Sequence, residues 1–185
     1  MDVTCHASVD GFFHEVVTDA LDALRVEATP PTEWYLVGLL GEFTRARLPD
    51  EPLGVLLAHS RAAEPSERVR ALKEVGDTSL YVAGFFAESL SKKLVDVDYY
   101  VGLGSTAYGE LASRLGGSLT EVYRELAGKF PGFVDVLAEI RRRIDFAGAD
   151  VIRLYEMWLA SRDEWVERKL RGFGVLVDPE GKPIH

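Results

Sequence analysis

The chain reads as an all-α protein: a single-domain bundle of about six to eight helices, residues 1–172, followed by a short irregular C-terminal tail, 173–185. Three observations predict this. Apolar residues recur at three- and four-residue spacing in nearly every segment, no stretch keeps the alternation of period two that marks a strand, and no repeat of 20 to 50 residues appears.

The elements follow in order. Phe13, Val16, Val17, Ala20, Leu21 and Leu24 make one apolar stripe with Asp19 and Asp22 beside it, predicting a helix over about 9–26. Thr29-Pro30-Pro31-Thr32-Glu33 is a start signal, because proline fits a first helical turn and a threonine oxygen can cap free amides, so the next helix covers about 31–46. Pro49 and Pro52 end it. Leu53, Val55, Leu56 and Leu57 predict a short helix that stops before Glu64-Pro65. From Pro65 a stripe through Val69, Leu72, Val75, Leu80, Ala83, Phe86 and Leu90 predicts one long helix, or two with a bend at Gly76, since Gly76 and Gly84 each cost about 1 kcal/mol in a helix interior. Asp96 to Leu115 predicts a second central helix with Leu103, Ala107, Leu111 and Leu115 on one face; Gly102, Gly109 and Ala112 would let a neighbouring backbone approach. Ser118-x-x-Glu121 has the form of a capping box and opens a helix to about Lys129. Pro131-Gly132 starts another, to about Ile144, and about Ala149 to Arg171 forms the last, closed by Gly172. A short extended piece is expected at Gly174 to Val177.

Composition narrows the function classes. With 185 residues and 47% hydrophobic side chains, the chain can bury a sizeable core. Thirty acidic against 21 basic residues give a formal charge of −9, so the average surface repels phosphate and disfavours a nucleic-acid or anionic-membrane binder. The single Cys5 forms no internal disulfide and suits a reducing compartment. Met1 to His6 show neither a basic nor an apolar export region, and the longest uncharged stretch, Tyr99 to Gly109, falls well short of the roughly 20 residues a membrane helix needs. The expected protein is soluble and cytoplasmic.

Gly102-x-Gly104-x-x-Ala107, preceded by Val95 to Val101, resembles the glycine fingerprint of dinucleotide-binding folds, which implies a strand, a phosphate-cradling turn and a helix. A packed helix containing glycines accounts for the same residues, and no further parallel strands are in view. Tyr108 to Arg124 resembles a helix-turn-helix, with Ala112, Gly116 and Val122 at its small, turn and core positions and a weaker extension to Lys129-Phe130. That resemblance implies a transcriptional regulator using residues 108–129, with Arg114, Tyr123, Arg124 and Lys129 touching DNA. Gly117 departs from the pattern, and Glu121 and Glu125 would face phosphate.

No metal or cofactor is expected: none of His6, His14, His59 and His185 belongs to a ligand spacing, and the Asp10–His14 pair supplies only two ligands. Ser105 lacks a nucleophile elbow, and no catalytic residue is assigned. The densest unusual chemistry comprises Glu88, Asp96, Asp98, Tyr99, Tyr100 and Tyr108, with Lys92 and Lys93 between, where the two central helices join. It reads as a ligand- or partner-binding site, because adjacent tyrosines present at least one phenol outward, or as helix-end structure with Asp96 or Asp98 capping. Arg141-Arg142-Arg143 fans around a helical turn and reads as a solvated face. The function expected is binding rather than catalysis, of a protein partner, a second copy or a small apolar ligand; a small enzyme or cofactor protein using residues 88–108 is the competing class.

Overall fold

The computed structural model describes residues 9–43, 48–90, 96–146, 158–160, 162 and 164–172. They form helices throughout, with no strand among the described residues: α1 (Val9–Leu24), α2 (Pro30–Phe43), α3 (Leu53–Ala62), α4 (Pro65–Phe85), α5 (Ala87–Leu90), α6 (Val97–Arg114), α7 (Ser118–Gly128) and α8 (Phe130–Phe146). A further helix, α9, spans Glu164–Gly172. The all-α reading therefore holds. The tail 173–185 and most of the segment before α9 lie outside the described residues.

α4 is the centre of the bundle, packing on α6, α8 and α3, while α6 also packs on α7 and α1 on α2 and α8. Its apolar stripe explains the placement: Leu72, Val75, Leu80 and Ala83 are fully buried in one core with Leu111, Leu126, Phe130, Phe133 and Leu137 of other helices. α4 runs unbroken through Gly76 because the glycine serves a contact there. A Cβ at Gly76 would overlap the ring of Tyr108, and one at Gly104 would overlap Phe130. The close approach of α4 and α6 thus falls at Gly76 and Gly104, not at Gly102 or Gly109, where an added Cβ meets nothing within 4 Å. The offset from helical cost to packing gain is local: an aromatic ring fills the space that a side chain would occupy.

The helix expected over Asp96 to Leu115 forms, which sets one resemblance aside, and one further expectation changes. The Gly102 to Ala107 fingerprint lies inside α6, so the strand and turn that the dinucleotide resemblance needs are not formed. The capping box at Ser118 is not formed either: Gly117, at φ 75°, is the residue before the helix, and Glu121 pairs with Arg124 instead of reaching back. Thr120 Oγ1 donates to the Leu115 carbonyl at 2.5 Å, fixing the turn between α6 and α7. Asp96 does cap α6, accepting from the Tyr99 amide at 3.1 Å.

Among the described residues no helix is long and apolar enough to cross a membrane.

Candidate functional site

Of the six residues singled out in the sequence, five have described side chains, and Tyr108 lies apart from the other four. Tyr99 is 44% exposed, with its ring edge-on to half-buried Tyr100 at 5.4 Å and its hydroxyl against α3 at Gly54. Asp96 is engaged as the α6 cap, and Asp98 lies exposed in the first turn. Tyr108, further along the same helix, is fully buried. Glu88 belongs to the one-turn α5; its side chain, with Lys92 and Lys93, lies outside the described residues.

What Tyr108 touches is a group that sequence reasoning missed. Asp77, in the middle of α4 and only 4% exposed, accepts hydrogen bonds on one oxygen from the hydroxyls of Tyr35 (2.5 Å) and Tyr108 (2.7 Å). Its other oxygen accepts from Lys73 Nζ at 2.6 Å, one helical turn away, and Lys73 also reaches Glu42 at 3.4 Å. Tyr123 closes the aromatic wall, edge-on to Tyr35 at 5.5 Å and stacked on Tyr108 at 5.7 Å. Four helices, α2, α4, α6 and α7, are therefore tied through one carboxylate and its aromatic surround. Burial pushes the Asp77 carboxyl above its ordinary range, against the opposing pull of the Lys73 ammonium and the two phenols. Burial, with the Asp77 charge, raises both Tyr35 and Tyr108, so these phenols stay protonated and remain donors. The desolvation of Lys73 is outweighed by Asp77, which holds the ammonium charged. Each oxygen of Asp77 is thus occupied. The signal available in the sequence is an acid at i+4 from a lysine, followed by Thr78 and Ser79 inside an otherwise apolar helical stripe.

The accessible chemistry lies elsewhere, in a cleft of about 670 Å³ between the corner joining α1 to α2 and the C-terminal end of α7. Leu21, Val26 and Ala28 supply its apolar wall, and Glu125 and Lys129 its far side. α1 ends here with Arg25 in the left-handed region, at φ 54°; the Val26 amide donates to the Leu21 carbonyl (3.0 Å) and the Arg25 amide to Asp22 (3.2 Å). These paired bonds are those of a helix terminus at which glycine is the ordinary residue. Glu125 crosses from α7 to the start of α2, accepting from the Thr29 amide (3.1 Å) and hydroxyl (2.8 Å) and from Lys129 (3.0 Å). Partial burial would raise this carboxyl, but donors on Thr32, Thr29 and Lys129 outweigh it and bring it down to about 2. Lys129 also donates to the Glu27 carbonyl at 2.8 Å.

Three charged side chains on this cleft, Asp22, Arg25 and Glu27, are exposed and make no side-chain hydrogen bond or ion pair among the described residues. At its edge Glu33 lies 3.8 Å from His14, whose ring stacks on exposed Trp34 at 4.4 Å. The arrangement can hold a polar molecule against a short apolar strip; it offers no nucleophile paired with a base.

Of the residues that the helix-turn-helix resemblance assigns to DNA, Tyr123 is buried, Arg124 pairs with Glu121, and Lys129 is held by Glu125 and Glu27. Arg114 lies 4.0 Å from Glu110. Comparison of the chain with protein-family models, with characterised proteins and with solved structures returns no match.

Proposed function

We propose that this chain is a helical binding protein whose recognition surface is the cleft between the α1–α2 corner and α7. One observation carries the reading: Arg25 sits on the cleft wall in a left-handed conformation, with its guanidinium unpaired among the described residues. A non-glycine residue there costs of order 1 kcal/mol that glycine would not, and the side chain makes no bond to any described residue in return. The same wall joins apolar surface to a few fixed polar groups within a volume suited to a small molecule or a short chain segment. Catalysis has no comparable support, because the most perturbed titratable groups, around Asp77, are internal and mutually saturated.

The test is a titration of isotopically labelled protein with a library of polar metabolites and short peptides, followed by amide chemical shifts. Binding in the cleft moves the Val26, Ala28 and Thr29 amides together and is blocked by Val26→Asp, with little change at Tyr99 or Tyr100. A library that moves none of the three amides, or moves only the amides around Tyr99, defeats this assignment.

A further inference from the structure

Resting on that reading of the cleft, we propose that its ligand is a short cationic peptide with a free terminal carboxylate. The charges on the wall select it. Arg25 presents a planar guanidinium unpaired among the described residues, whose fork of donors matches a carboxylate. A bare anion is nevertheless unwelcome, because the lining carries the carboxylates of Asp22, Glu27, Glu33 and Glu125 against the cations Arg25 and Lys129. The anion must therefore arrive on a molecule that also brings positive charge. Glu125 is already saturated by Thr29 and Lys129, and Glu33 lies beside His14, which leaves Asp22 and Glu27 as the two carboxylates open to ligand ammonium groups. Leu21, Val26 and Ala28 between them form the strip on which an apolar side chain would lie. A carboxylate, ammonium groups and one apolar side chain are the features of a basic peptide end, and the cleft volume of about 670 Å³ accommodates a few residues.

Isothermal titration calorimetry of the full chain with the dipeptide lysyl-leucine, with its C-terminal amide and with inorganic phosphate tests the proposal. The dipeptide is expected to bind, the amide about tenfold more weakly, and phosphate without measurable heat. Arg25→Gly should weaken the dipeptide about tenfold and reduce the difference between acid and amide to nothing, while its thermal midpoint stays at or above that of the parent. Equal binding of acid and amide, an unchanged affinity in Arg25→Gly, or binding of phosphate as tight as that of the dipeptide overturns the peptide-carboxylate assignment. If lysyl-leucine gives no heat while other library members still shift the Val26 and Thr29 amides, the ligand class is wrong and the cleft stands. If neither does, both are wrong.

Discussion

The Asp77 cluster and the α1–α2 cleft are both built from carboxylates, hydroxyls and a cation, and they differ in what those groups leave over. Around Asp77 both carboxylate oxygens are engaged from within: two phenols on one, an ammonium on the other, aromatic rings on the outside. At the cleft, Glu125 is similarly engaged, yet the side chains of Asp22, Arg25 and Glu27 on the same cleft have no partner among the described residues. A dense group of titratable residues with shifted proton affinities is thus a poor guide to a site when it is internally saturated. Burial and the charges inside the cluster together produce the shifts, with no ligand involved. Unsatisfied charge facing a concavity is the better marker, because it retains interaction energy for something outside the chain.

The largest expected effect separates the two regions by stability. Asp77→Ala leaves the hydroxyls of Tyr35 and Tyr108 without their acceptor and Lys73 without its nearest counter-charge, and should cost about 3 to 5 kcal/mol in urea unfolding. A cost below about 1 kcal/mol would mean that the network does not hold the helices together. Tyr108→Phe removes one fully buried donor and should cost about 1 to 2 kcal/mol, more than Tyr35→Phe, whose ring is only partly buried. In a double-mutant cycle with Asp77→Ala the Tyr108→Phe loss should shrink toward zero; strict additivity would show that the hydrogen bond carries no coupling energy.

The sequence made the helices legible and hid the cluster, for a definite physical reason. Helix positions follow from local spacing: the stripes of α1, α4 and α6 and the prolines that open α2 and α4 state where each element lies. The Asp77 network is a contact between α2, α4, α6 and α7, and no local pattern says that Tyr35, 42 residues before Asp77, and Tyr108, 31 after it, share one oxygen. Tyr108 stands out in the sequence as an aromatic near acids, but its partner is an acid on another helix. Gly76 shows the same limit. Read locally it is a weak point in α4; in three dimensions it is the seat of the Tyr108 ring. The cleft was hidden differently, since Arg25 and Glu27 look like ordinary solvated charges until the left-handed turn sets them on one wall with Val26.

Acid titration sharpens the comparison, because the two regions carry proton linkage of opposite sign. Asp77 has its folded-state affinity raised by burial, so its contribution to stability is full below the ordinary aspartate value of 3.8 and is lost as pH rises through the higher folded value. Glu125 is lowered from 4.5 to about 2, so its contribution is present above 4.5 and is lost as pH falls through about 2. Asp77→Asn should therefore make the stability profile rise more steeply from acid toward neutral pH, after its overall cost is subtracted. Glu125→Gln should flatten the acid limb by about 1 kcal/mol, a figure reduced for residual solvent screening of a partly covered carboxylate. Equal and parallel profiles for the two variants would remove the contrast.

The smallest expected effect bears most directly on the cleft. At Arg25 the backbone already adopts the conformation in which glycine is most at ease, and the amides of Arg25 and Val26 keep their bonds whatever the side chain is. Arg25→Gly removes the steric cost of a Cβ in the left-handed region but adds conformational freedom to the unfolded chain, and the two terms oppose each other. The net change should be a gain of a few tenths of a kcal/mol to about 1 kcal/mol, read as a small rise in the urea midpoint with no change in slope. Arg25→Ala keeps the Cβ and loses the same guanidinium, so it should sit at or just below the parent. If Arg25→Gly were instead destabilising by more than about 1 kcal/mol, the guanidinium would have a structural role, and its unpaired state at the cleft wall would no longer point to a ligand.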